Sequence, residues 1–132
     1  MQGNADITMT WGDGEHYFRL GRKVIQELQE KTGKGPFALY RRIEAGDWTI
    51  QDLSETIRLG LIGGGMAPAE AAKLMKNYFD DTPLLQHWPA ARNILLAALT
   101  GPPDDPIDMG KTKRGNGQSD SLSQPTSESL AS

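Results

Sequence analysis

Apolar and polar residues alternate strictly at the start of the chain, then change period. Asp6-Ile7-Thr8-Met9-Thr10-Trp11 alternates with period two, and so does Glu15-His16-Tyr17-Phe18-Arg19-Leu20. Gly12-Asp13-Gly14 lies between them. Two alternating runs around Asp-Gly predict a β-hairpin with a tight turn. With Asp13-Gly14 as the turn, Ile7 faces Leu20, Met9 faces Phe18 and Trp11 faces His16. Thr8–Arg19 and Thr10–Tyr17 then form the polar face. A lone hairpin is marginal in water, so its apolar face must pack on something.

From Gly21 the apolar spacing becomes three and four, which predicts helices. Val24, Ile25 and Leu28 mark the first, over Gly21 to Lys31, with Gly33 as its stop. Pro36 suits the first position of a second, where Phe37, Tyr40 and Ile43 recur, Leu39 widens the stripe and Gly46 ends it. Thr49 precedes Ile50, with Asp52 three residues on, and is the expected N-cap of a third. Ile50, Leu53, Ile57 and Leu61 form its stripe. Pro68 opens a fourth, with Ala72, Met75 and Phe79 along one side. Asp80-Asp81-Thr82-Pro83 breaks the pattern, and the aspartates are expected to cap the next helix. A last helix, starting near Leu84 or at Pro89, reaches Leu99 through Ala91, Ile94, Leu95 and Ala98.

The composition changes at Gly101. Pro102, Pro103 and Pro106 lead into a stretch rich in Ser, Gly, Gln and Thr, where Ile107, Met109, Leu122 and Leu130 are isolated. So little apolar area cannot offset the entropy of ordering. The expected organisation is a flexible N-terminus at 1–5, one hairpin-plus-helices domain at 6–100 and a disordered low-complexity tail at 101–132. The fold class is α+β, mainly α, with the N-terminal β-hairpin packed on four or five short helices.

Charge and candidate chemistry narrow the function. The net charge is −3 and the sequence pI about 5.3, and Arg22-Lys23 and Arg41-Arg42 are the longest basic runs in the helical region. Nucleic-acid binding is not expected. There is no cysteine, which removes disulfides, thiol catalysis and cysteine-ligated zinc. No signal peptide is visible, and no apolar run approaches the roughly 20 residues that span a bilayer. The expected setting is the cytoplasm. His16 and His87 are the only histidines and fall in different elements, each read as a stacked, partly exposed ring. No nucleophile, base and orienter assemble, and no cofactor, metal or enzyme activity is expected.

Gly63-Gly64-Gly65 ends the run Ile57-Arg58-Leu59-Gly60-Leu61-Ile62 and precedes Met66-Ala67-Pro68. A phosphate loop would continue into Gly-Lys-Ser/Thr, and here it does not. The glycines read instead as a helix C-terminus and a flexible joint between helices, able to splay around an apolar partner. Leu61, Ile62, Gly63, Gly64, Gly65 and Met66 are therefore candidate hinge or partner-binding residues. Trp48 joins them, because a tryptophan in an inter-helix loop is either a staple or a contact anchor.

Several segments together resemble a known family. They are Trp11-Gly12-Asp13-Gly14-Glu15, Gly35-Pro36-Phe37-Ala38-Leu39, Gly46-Asp47-Trp48, Ile57 through Gly65, and Ala71-Ala72-Lys73-Leu74. The chain resembles, over about residues 6–101, the gene transfer agent family of phage tail proteins, described both as tail tube proteins and as tail assembly chaperones. The resemblance implies a non-enzymatic role in building a phage-like tail. Its chaperone form implies the tape measure protein as partner in the host cytoplasm. Its tube form implies a place in the virion tail, with the tail tube protein or further copies of the chain as partners. A tube subunit needs a larger β-rich fold that closes rings, so the helical pattern favours the chaperone.

Overall fold

The computed structural model describes residues 6–101. Strands β1 (Asp6–Trp11) and β2 (Gly14–Arg19) form an antiparallel hairpin. Helices α1 (Arg22–Thr32), α2 (Pro36–Ala45), α3 (Ile50–Gly63) and α4 (Pro68–Tyr78) come next. A short 3-10 turn, Leu84–His87, leads into α5 (Trp88–Thr100). The class is α+β, mainly α, as the change of period predicts. The expected tail lies outside the described residues, apart from Gly101.

The hairpin exists, but its register differs from the expected one. Ile7 pairs with Phe18, Met9 with His16 and Trp11 with Gly14, so the turn is Gly12-Asp13. Gly12 has φ +67, the positive value that the first central residue of a primed turn adopts. The shift moves each partner by two residues. Side-chain direction has period two, so the faces keep their members. Phe18 and Trp11 are buried, and Thr8, Thr10 and Tyr17 face outward. Asp6 is the exception on the polar face: it is buried, and the Tyr17 hydroxyl bonds to its carboxylate. That hydrogen bond, with burial and the charge of Asp6, holds the Tyr17 phenol above its usual pKa.

Helices α3 and α5 form the centre of the core. Leu53, Ile57, Leu59 and Leu61 of α3 pack with Ile94 and Leu95 of α5, Leu28 of α1, and Leu39 and Ile43 of α2. The hairpin lies over this pair, β2 on α3 and β1 on α5. Four expected stripe residues, Phe37, Ile50, Ala72 and Leu99, point elsewhere. Phe37 and Ile50 are 61% and 58% exposed, and Ala71 rather than Ala72 is buried. Phe37 and Ile50 sit in the first turns of their helices, beyond the reach of neighbouring elements. Arg41 lies 6.0 Å over the Phe37 ring.

A polar junction holds three helix ends together. Thr49 caps α3, its hydroxyl accepting from the Asp52 N–H at 3.0 Å while Asp52 Oδ2 accepts from the Thr49 N–H at 2.9 Å. Asp52 is also clamped by Arg42 of α2, whose Nε donates to Oδ2 at 2.8 Å and Nη2 to Oδ1 at 2.6 Å. The same Nη2 reaches the Thr32 carbonyl that ends α1 at 3.3 Å. The expected aspartate cap after α4 is absent: Pro83 precedes the 3-10 turn and makes no side-chain cap bond, while Asp80 and Asp81 are exposed. Asp52→Ala removes the carboxylate half of the capping box, leaves the Thr49 hydroxyl on the residue-52 N–H, and strands a half-buried guanidinium. It should cost about 3 kcal/mol in urea denaturation. Asp47→Ala, at an exposed site nearby, should stay within about 0.5 kcal/mol.

Candidate partner-binding surface

The three consecutive glycines do two different things. α3 ends in a Schellman motif: the Gly65 N–H donates to the Ile62 carbonyl and the Met66 N–H to the Leu61 carbonyl, both at 3.0 Å. Gly65 has φ +114, a conformation that side chains with a Cβ rarely adopt. Gly63 and Gly64 have ordinary dihedral demands but no room. A Cβ on Gly63 would stand 1.9 Å from the Arg19 carbonyl oxygen, and one on Gly64 2.1 Å from that of Tyr17. In a hairpin closed by a two-residue turn, pair alternation puts those carbonyls on the outer edge of β2. The bare backbone of α3 therefore forms a seat for that edge. Gly60, one turn earlier, meets the Phe18 ring and Ile94, where a Cβ would lie at 3.2 and 3.3 Å.

Leu61 is buried, while Ile62 and Met66 are half-buried against the core. Met66 borders a cleft of about 310 Å³ between the hairpin turn and α4. Asp13, His16, Glu70 and Lys73 provide its charged groups, and Leu74 and Tyr78 its apolar floor. His16 Nε2 lies 2.7 Å from Asp13 Oδ1. Among the described residues, no cluster of three or more His, Cys, Asp or Glu side chains is arranged to hold a metal ion.

Trp48 is not part of this group. It lies in the connector between α2 and α3, half-buried against the core. The whole of α3, fourteen residues and so about 20 Å, separates it from the glycines. The indole that joins α2 to α5 is that of Trp88, which donates to the Ile43 carbonyl at 2.7 Å. Other apolar side chains on the surface are Phe37, Ile50 and Leu85, the last 71% exposed. Nothing in their spacing distinguishes them in advance from core positions.

His87 departs most from expectation. It is 4% exposed, beneath the end of β1. The Trp11 indole N–H donates to its Nδ1 at 3.0 Å, and its Nε2 meets Thr82 Oγ1 at 2.5 Å. The Phe79 ring lies 4.6 Å away, centroid to centroid. Burial lowers its pKa below the ordinary histidine value.

The small helical fold, with its glycine-seated hairpin and its surface apolar residues, carries a sequence of one class: the phage-type tail proteins. A family model described as "Phage tail tube protein, GTA-gp10" matches residues 4–101, and the chain belongs to that family. No curated protein and no solved structure matches it. No helix among the described residues is long and apolar enough to cross a membrane.

The seat makes a sharp prediction. Gly63→Ala and Gly64→Ala should each lower stability by about 3 kcal/mol, because a backbone carbonyl cannot rotate aside as a side chain can. Gly65→Ala should cost about 1 kcal/mol through backbone strain alone. Gly14→Ala, with nothing within 4 Å of its added carbon, should show no steric loss. Denaturation midpoints of the four variants test this order.

Proposed function

We propose that the protein is a tail assembly chaperone that binds the tape measure protein before the tube forms around it. The observation that carries this reading is the balance of the fold. The described sheet is a single two-stranded hairpin, whereas a tube wall built from β-structure needs extended sheets. One edge of that hairpin already lies against α3. A tape measure is long and helical with apolar patches, and apolar helix surfaces are its natural receptor.

The receiving surface we favour lies at the α3–α4 joint. α4 packs mainly on α3, and Gly64, Gly65, Met66 and Ala67 connect the two. A small swing of α4 about this connector would widen the cleft beside Met66 and expose more of Ile62. Gly63 and Gly64 would stay with β2, so the motion belongs to Gly65. Trp48, at the far end of α3, is a second contact point for a partner helix lying along the domain. Leu61 would act by supporting Ile62 and Met66. The host cytoplasm is the place of action in this reading.

The structural alternative, a subunit of the tail tube or its end, is favoured by the family's own description as a tail tube protein. Two measurements separate the readings. Co-expression with the tape measure protein should give a soluble complex in pull-down, weakened about tenfold or more by Met66→Ser or Trp48→Ala with folding intact. Mass spectrometry of purified particles should find the protein absent. Stoichiometric presence in particles, together with no complex in pull-down, would establish the tube reading instead.

A further inference from the structure

His87 is buried without an ionic partner. Asp52 has Arg42, and Asp6 has the Tyr17 hydroxyl. The groups that bond to or stack on His87 are neutral: Trp11, Thr82 and Phe79. Their chemistry fixes its protonation. An indole nitrogen is a donor only, so Nδ1 must accept and carries no proton. The ring proton is then on Nε2, which donates to Thr82 Oγ1. The Thr82 hydroxyl in turn donates to the Tyr78 carbonyl at 2.8 Å. Every group is satisfied in one arrangement, and that arrangement requires a neutral ring.

We propose that His87 is an acid-operated latch on the hairpin: neutral, it accepts the Trp11 indole proton and holds the end of β1 against the turn before α5; protonated, it presents a second N–H to that indole and releases the hairpin tip. The break falls on the Trp11 side alone, because Nε2 still donates to Thr82 in either state. Two N–H groups 3.0 Å apart cannot both be satisfied there. Water has a route in. A cleft of about 340 Å³ lies beside the ring, completed by Thr10, Gly12, Tyr78 and Gln86.

The sign follows from burial. It lowers the His87 pKa in the folded protein, so the unfolded chain binds this proton first as pH falls. The latch contributes fully above the ordinary histidine value of 6.5 and is lost as pH falls from there through the lowered folded value. The titratable groups around it are few. Tyr78 of α4 borders the cleft, and Asp80 and Asp81 stand exposed in the turn that carries Thr82. β1 contributes Thr10 and Trp11, neither ionisable in this range, and Gln86 of the 3-10 turn is neutral. His16 sits on β2 beside Asp13 and is a separate group. The latch rests on these contacts alone and is independent of the chaperone reading.

Nuclear magnetic resonance on the full chain tests it. At neutral pH, the ring nitrogens of His87 should show the proton on Nε2. Between pH 7 and 5, hydrogen exchange at the Trp11 indole should speed up roughly two- to tenfold relative to the Trp88 indole, the effect of losing one hydrogen bond. Trp88 bonds to a backbone carbonyl and serves as the internal reference. His87→Gln keeps an acceptor and a donor without titrating, and should abolish the change. His16→Gln should leave it intact. A proton found on Nδ1, a constant ratio of the two exchange rates, the same acceleration in His87→Gln, or its loss in His16→Gln would each overturn the latch. If His87→Gln does not fold, the tautomer and the exchange ratio of the wild type decide alone.

Discussion

The outer edge of β2 runs so close over the last turn of α3 that two carbonyl oxygens occupy the space where side chains would stand. The rest of the arrangement depends on this contact. It sets the height of the hairpin over the helices and so carries Phe18 down to Gly60 and Ile94. It brings Trp11 to His87 at the other end of β1. It also closes one edge of a two-stranded sheet, an edge that would otherwise invite pairing with another chain. Glycine is required at Gly63 and Gly64 because of what lies outside them.

Local structure was largely legible in the order of residues, because its causes are local. The change of apolar period separates the hairpin from the helices. Pro36, Pro68 and Thr49 start helices where proline geometry and a capping hydroxyl suit a first turn, and Gly33 and Gly46 stop them. The register was not legible, since Gly12-Asp13-Gly14 contains two acceptable two-residue turns and both preserve the faces. Which apolar residue reaches the core was legible only in part. Ile50 and Phe37 follow the helical period, but a helix end projects beyond its neighbours, and periodicity carries no information about where those neighbours stop.

The candidate surface divides in the same way. The run Ile57 to Gly65 carries the family resemblance, and the match over residues 4–101 bears out the phage tail family. A glycine run alone announces freedom of the chain. It is silent about the strand, far earlier in the chain, that lies against two of the three glycines, a fact of tertiary structure. His87 is similar. Beside Trp88 and near a proline it looks like part of an exposed connector, yet its partner, Trp11, is 76 residues away in sequence.

Ile7, near the start of β1, and Thr100 and Gly101, at the end of α5, line one shallow cleft of about 230 Å³. The two ends of the folded unit therefore emerge side by side. In a chain cut to residues 6–101, a short linker joining them would close a ring, and new ends opened at the exposed Lys34 would give a circular permutant with the same core. Ile7 and Gly101 share one corner of the folded unit, at the opposite end of the hairpin from the Gly12-Asp13 turn, so that turn stays unobstructed for whatever docks there.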